Sequence, residues 1–149
     1  MTLPVFVVDT NVLVAGLITR SVESPVASVL DAMLSGTLVY LLSPALLAEY
    51  QAVLARPKLV VLHGLSASEV DQLLEEITAN AILREPDPGA PAPDPGDDHL
   101  WALLESQPGA ILLTGDRLLL EDETKGGAVL SPRSWMERFR TRGNPTAPG

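Results

Sequence analysis

The fold is decided by residues 5–11, Val-Phe-Val-Val-Asp-Thr-Asn, where a short apolar run stops abruptly at polar residues. A run of β-branched and aromatic side chains such as 5–8 is typical of a strand that is buried on both faces, as in a parallel sheet. In open parallel sheets, ligands bind beyond the carboxyl ends of the strands. Asp9 follows the run directly and is therefore the first candidate for a functional side chain.

Further apolar runs and helical segments alternate along the rest of the chain. The runs that predict strands lie at 38–42, 81–83, 110–113 and 128–130. The predicted helix starts are Ser24-Pro25, Ser43-Pro44 and Ser131-Pro132, each a capping serine followed by proline, and the capping box at 66–69. A further helix is expected to begin near Asp97. This alternation predicts an α/β fold with a central five-stranded, mostly parallel sheet between two layers of helices.

Composition predicts one folded domain. With 149 residues, 46% of them hydrophobic, the chain is long enough to bury a core, and we assign the domain to 1–140 with a flexible tail at 141–149. The absence of cysteine excludes disulfides and thiolate chemistry. No apolar run is long enough to span a bilayer and the first residues lack a basic signal segment, so a cytoplasmic location is expected. The net charge of −9 counts against binding nucleic acid by electrostatics alone.

Carboxylates occur where the predicted sheet would place a site. Asp116 lies just past the fourth strand, and Asp97 and Asp98 begin the helix before that strand. Glu49 lies at the edge of the apolar stripe of the helix after the second strand. Carboxylates that are brought together repel unless a cation neutralises them, and oxygen ligands favour Mg²⁺ or Mn²⁺. Metal-assisted hydrolysis of a phosphodiester is the chemistry that this pattern indicates.

Each of these acids also has a purely structural explanation as a turn residue, a solvated helix residue or an N-cap, and only their joint arrangement favours function. His99 is interpreted as a surface histidine, with contact to the substrate as the alternative. Trp101 and Trp135 are interpreted as core or interface residues and not as platforms for base stacking. The charge run at 121–123 is interpreted as a solvated surface.

Four blocks of sequence together resemble the PIN-domain nucleases, especially the toxin components of toxin–antitoxin systems. The blocks are Val-Val-Asp-Thr-Asn-Val-Leu at 7–13, the segment from Ser43 to Lys58, Asp-Pro-Gly-Asp-Asp-His-Leu-Trp-Ala-Leu at 94–103, and Leu-Leu-Thr-Gly-Asp at 112–116. They cover nearly the whole chain up to the last helix. Each block alone is weakly specific, and the four together are specific.

The resemblance implies a PIN-like α/β/α domain with Mg²⁺- or Mn²⁺-dependent endoribonuclease activity. The family's catalytic and metal-binding acids carry over to Asp9, Glu49, Asp97 and Asp116. Asn11 and Thr114 match the polar residues that position water or the acids. RNA as substrate, a homodimer and a cognate antitoxin protein are the partners that the resemblance implies. The candidate RNA-binding cations are Arg20, Arg56, Lys58, Arg117, Arg133, Arg138, Arg140 and Arg142.

Two features depart from the family pattern. Asp94 and Asp98 are alternatives to Asp97 as the third ligand. Arg117-Leu118-Leu119 replaces a further acid, which favours one tightly held ion over two.

Three other functions share part of this sequence pattern. A phosphatase of the haloacid dehalogenase type would need an acid where Asn11 stands, and a phospho-receiver domain would need an acceptor acid where Glu85-Pro86 stands. A catalytically degenerate PIN domain that binds protein or RNA is the non-enzymatic alternative.

Overall fold

The computed structural model of the chain describes residues 4–89, 91–122 and 128–140. The strands are β1 (Phe6–Val8), β2 (Leu41–Leu42), β3 (Ile82–Leu83), β4 (Ile111–Leu113) and β5 (Val129–Leu130). The helices are α1 (Thr10–Ile18), α2 (Pro25–Ser35), α3 (Pro44–Leu54), α4 (Pro57–His63), α5 (Ala67–Asn80), α6 (Asp98–Glu105), α7 (Arg117–Leu120) and α8 (Pro132–Trp135). A 3₁₀ turn at Pro95–Asp97 precedes α6, and a π-helical turn at Met136–Arg140 follows α8. No helix within the described ranges is long and apolar enough to cross a membrane. The tail predicted at 141–149 and residue 123 of the acidic run lie outside the described residues.

All strand pairs in the described chain are parallel, which confirms the predicted α/β class. The strands form a three-stranded sheet in the order β1-β4-β5 and a two-stranded sheet of β2 and β3. A single parallel bridge between Phe6 and Tyr40 joins the two sheets, giving the order β3-β2-β1-β4-β5. The prediction of one continuous five-stranded sheet is therefore met only in this interrupted form. Strand β2 is only two residues long, because Ser43 and Pro44 begin a helix directly after it.

The serine caps are confirmed, but three helices were missed by the sequence patterns. Ser24, Ser43 and Ser131 each accept a hydrogen bond from the first turn of their helices, and the capping box at Ser66 is present. Helix α1 was missed because its residues are apolar on nearly every side and show no helical alternation. Helix α4 was missed because a proline directly after α3 is typical of a helix end, whereas Pro57 occupies the first turn of a new helix. The short α7 after Asp116 was not predicted either.

The core lies between the sheet and the helices on both of its faces, and it includes all of β1. Trp101 and Trp135 are 1% and 4% exposed, as predicted for core residues. Helix α1 approaches α2 so closely that a Cβ atom at Gly16 would lie 2.8 Å from the carbonyl oxygen of Val26. Helix α3 is fixed to the end of β1 by Tyr50, whose buried hydroxyl donates a 2.5 Å hydrogen bond to the carbonyl oxygen of Val8. These contacts hold α1 and α3 beside the carboxyl end of β1.

Candidate active site

A pocket of about 490 Å³ opens at the carboxyl end of β1. It is lined by Asp9, Glu49, Asp97 and Asp116, together with side chains of α1, Val53 and Arg56. The structure thus brings the four acids carried over from the resemblance to the walls of one pocket, although they come from four separate segments of the chain. Among the described residues that line this pocket, Arg56 is the only cation.

Asp9 is the most firmly held of the four acids. It is the N-cap of α1 and is only 5% exposed. Its Oδ1 accepts a 2.8 Å hydrogen bond from the backbone N–H of Thr10, and its Oδ2 accepts one of 2.7 Å from the Thr114 hydroxyl. Burial raises the pKa of Asp9, while the hydrogen bonds from Thr114 and Thr10 oppose that rise. The neighbouring charges of Glu49 and Asp116 raise this pKa further.

Thr114 and Asn11 join the ends of β1 and β4. The fully buried Thr114 hydroxyl donates to Asp9 and accepts a 3.0 Å hydrogen bond from the backbone N–H of Asp116. The amide nitrogen of Asn11 lies 3.2 Å from Asp9 Oδ2 and 3.3 Å from Thr114 Oγ1. Its amide oxygen accepts a 2.9 Å hydrogen bond from the N–H of Gly115. The two residues are thus in position to orient both Asp9 and the Asp116 backbone.

Asp116 is half-buried at the start of α7. Its Oδ1 accepts a 2.9 Å hydrogen bond from the backbone N–H of Leu118, which fixes its side chain as an N-cap. Because its own N–H is held by Thr114, both the backbone and the side chain of Asp116 are oriented from residues nearby.

Glu49 is held by two residues, Thr10 and His99, that the sequence patterns did not assign to the site. Its Oε2 accepts a hydrogen bond from the Thr10 hydroxyl, and its Oε1 lies 3.2 Å from His99 Nε2. The His99 side chain is 22% exposed, so its interpretation as a surface histidine is wrong. The only sequence signal for this pair was proximity to the acids, since Thr10 follows Asp9 and His99 comes two residues after Asp97.

Asp97 lines the pocket, whereas its two alternatives are engaged elsewhere. Asp98 is exposed and accepts a 2.8 Å hydrogen bond from the N–H of Ala92, and Asp94 caps the 3₁₀ turn through the N–H of Gly96. The Asp97 carboxylate has no hydrogen-bond donor in the described part of the chain. Burial, followed by repulsion from Asp9 and the other nearby acids, raises the pKa of Asp97 to about 6.

The chemistry of this donor set fits a hard divalent cation. Four carboxylates face one pocket with a single cationic side chain among the described residues that line it. The neighbouring acids contribute to the raised pKa values of Asp9 and Asp97, so a bound cation would relieve this repulsion. Within the described ranges, however, no three His, Cys, Asp or Glu side chains are close enough together to hold a metal ion. The acids therefore line the site without forming a closed coordination shell, and binding a metal would require them to move closer.

Comparison with known families agrees with this architecture. A family model described as PIN domain matches residues 5–118, a segment that contains β1 to β4 and all four acids of the pocket. The chain belongs to the PIN-domain family. PIN domains have a nuclease-type fold and are commonly hydrolases, and their nucleases generally use divalent metal ions. No match was found among proteins of curated function.

Proposed function

We propose that this chain is a Mg²⁺- or Mn²⁺-dependent endoribonuclease that hydrolyses RNA phosphodiester bonds as the toxin component of a toxin–antitoxin system. The observation that carries the proposal is the convergence of Asp9, Glu49, Asp97 and Asp116 on one pocket of a PIN domain. The toxin role and the choice of RNA rest on the resemblance of the sequence blocks.

Asp9, Glu49, Asp97 and Asp116 are the residues that would hold the metal. When bound, a divalent cation would supply charge stabilisation to the phosphodiester and its leaving oxygen. Thr114 and Asn11 orient the Asp9 carboxylate, and Thr114 also orients the Asp116 backbone. Val14 and Ile18 of α1, with Val53 of α3, give the same pocket an apolar wall.

Arg56 is proposed to bind an RNA phosphate beside the acids. Its position on the pocket lining gives the substrate a cation in a site that is otherwise acidic. A guanidinium matches a phosphate with two parallel hydrogen bonds, so a single arginine can orient the backbone as well as attract it. This role fits an acidic chain, because the overall charge of −9 provides no general attraction for RNA.

The central test is cleavage of a labelled RNA by the full chain. We expect products with Mg²⁺ or Mn²⁺, none with EDTA, and strongly reduced cleavage by Asp9→Asn. In parallel, Mn²⁺ should raise the melting temperature of the wild type by binding the native state, and should raise that of Asp9→Asn much less. Cleavage that persists in EDTA, or that Asp9→Asn leaves unchanged, would refute the proposal.

A homodimer and a cognate antitoxin are further proposals that rest on the resemblance. Two-fold pairing would supply basic residues from two copies around each acidic pocket. Light scattering after size exclusion should give twice the chain mass of 15.8 kDa, and the antitoxin should co-purify when the neighbouring gene is co-expressed. A monomer at micromolar concentration, or no co-purifying partner, would contradict the respective part.

One observation favours a second function, that of a PIN domain that binds RNA or protein without cutting it. The described acids do not approach each other closely enough to form a metal site, as expected if catalysis had been lost. Salt-sensitive RNA binding without cleavage in Mg²⁺ or Mn²⁺ would support this alternative and exclude the ribonuclease.

A further inference from the structure

Glu49 is the one acid of the pocket whose two carboxylate oxygens are held by side chains from two other helices. Thr10 at the start of α1 donates to Oε2, and His99 in the first turn of α6 contacts Oε1 at 3.2 Å. The backbone of Glu49 belongs to a third helix, α3. The position of its carboxylate therefore depends on three helices at once.

Without these two contacts, two effects would favour movement of the Glu49 carboxylate out of the pocket. Its side chain is 32% exposed and has several rotatable bonds, so rotamers directed into solvent are open to it. Repulsion from Asp9 and Asp97 also favours withdrawal of the carboxylate from the pocket. A donor at each oxygen opposes both effects.

His99 is placed by the same turn that presents Asp97 to the pocket. Asp97 ends the 3₁₀ turn and α6 begins at Asp98, so the backbone positions of Asp97 and His99 are fixed relative to each other. Among the described residues, the imidazole's one hydrogen-bond partner is Glu49, because the buried Nδ1 has none. Leaving a buried polar atom unpaired costs free energy, and such exceptions in folded proteins call for a functional or structural explanation.

We propose that His99 is a positioning residue that, together with Thr10, holds the Glu49 carboxylate in the pocket for metal binding. The proposal rests on the proposed function, since it assigns His99 a role at that same metal site. His99 acts through Glu49 and not on the metal, the water or the RNA.

The test measures Mn²⁺ binding to the metal-free full chain by calorimetry, which does not depend on catalysis. We expect His99→Ala to weaken Mn²⁺ binding about tenfold, the scale on which loss of a partner of a metal ligand acts, and His99→Gln to stay within about threefold because its amide can still donate. The matched control is His63→Ala. His63 bonds the carbonyl oxygen of Leu54 and the N–H of Leu65, so its loss should lower thermal stability without changing Mn²⁺ affinity.

A double-mutant cycle separates positioning from a general loss of structure. In the Glu49→Gln background, His99→Ala should weaken Mn²⁺ binding no further, because the group that it positions is already lost. Equal weakening in both backgrounds, or unchanged binding in His99→Ala, would overturn the proposal.

Asp9→Asn distinguishes this failure from failure of the metal site. If Asp9→Asn loses Mn²⁺ binding while His99→Ala keeps it, only the role of His99 is refuted. If the wild type binds no Mn²⁺, the proposed metal site and the role of His99 are both refuted.

Discussion

Asp9 and Asp97 face the same pocket, but the chain supports their carboxylates in opposite ways. Asp9 is buried, and the backbone of Thr10 and the side chains of Thr114 and Asn11 satisfy its two oxygens. Asp97 is half-buried at the end of a 3₁₀ turn, and no described residue donates a hydrogen bond to its carboxylate. The strand-end side of the pocket, formed by Asp9 and Thr114 at the ends of β1 and β4, is therefore organised before any ligand binds. On the loop side, at the 3₁₀ turn, Asp97 has no described hydrogen-bond partner to stabilise its charge.

The pKa values of the two acids reflect this difference. Burial raises the pKa of Asp9 and hydrogen bonds to its charged form lower it, whereas the causes that act on Asp97 within the described chain, burial and the neighbouring acids, all raise its pKa. This difference indicates different roles for the two acids. Asp9 sets the geometry of the site, and Asp97 gains a partner only when a cation binds.

Neutralising each acid in turn tests directly whether Asp9 and Asp97 have different roles. Asp9→Asn should reduce RNA cleavage by about a hundredfold or more, because its amide would face the donors that now hold the carboxylate. Asp97→Asn should cost less, about tenfold, since no hydrogen-bond network depends on it. Single-turnover cleavage at saturating Mn²⁺ measures both losses. If the two variants lose cleavage activity equally, or Asp97→Asn loses more, Asp9 and Asp97 do not have these different roles.

Removal of the Thr114 hydroxyl tests whether the strand-end side is organised without ligand. Thr114→Val should lower the free energy of unfolding of the metal-free chain by about 1–3 kcal/mol, because it removes the hydroxyl donor to the buried Asp9 carboxylate and the acceptor of the Asp116 N–H. The matched control is Thr78→Val in α5, where the lost hydroxyl bonds only the carbonyl oxygen of Leu74. Denaturant unfolding should show a clearly smaller loss for the control, and equal losses would contradict a special role for Thr114.

Arg56 is the one cation among the described residues that line the pocket, and it can be compared with the acids in the same way. Arg56→Ala should raise KM for RNA with little change in kcat, and should lower the slope of log affinity against log salt by about one. Lys58→Ala is the control, because Lys58 lies in the next helix and does not line the pocket. An unchanged salt slope for Arg56→Ala, or the same change for Lys58→Ala, would show that Arg56 contacts no phosphate there.

The smallest expected effect is on stability as a function of pH. The folded-state pKa of Asp97, about 6, exceeds its ordinary value of 3.8, so its stabilising contribution is full below 3.8 and is lost as the pH rises through 6. In EDTA and at pH values above 6, Asp97→Asn should therefore melt at a higher temperature than the wild type. The expected difference is about 2 °C, because the group is partly exposed. At pH 3.5 the variant and the wild type should melt together. A gain that is independent of pH would show that charge is not its cause.

The sequence predicted the strands and the serine-capped helices because those signals are local. Apolar runs and Ser-Pro starts need only a few adjacent residues to act, and the structure reproduces them. Helix α1 was not predicted because its burial removes the polar face by which a helix is recognised in a sequence. Helix α4 was not predicted because a proline that ends one helix can also begin the next.

The residues of the candidate site also differ in whether local sequence signals could predict them. The ends of strands predicted Asp9 and Asp116, but spacing alone could not choose among Asp94, Asp97 and Asp98. That choice depends on the 3₁₀ turn, which directs Asp97 into the pocket. The contact between His99 and Glu49 spans 50 positions and depends on how α3 and α6 pack, which no local pattern encodes.

The bond from Thr114 to Asp9 joins residues 105 positions apart, and β1 pairs with β4 across the same separation. Closing so long a loop costs chain entropy, and contacts of high sequence separation slow folding. During synthesis, Asp9 leaves the ribosome long before its partner does. A nascent chain that ends before β4 has neither the Thr114 hydroxyl nor Asp116, so the acidic pocket can be completed only after β4 has been synthesised.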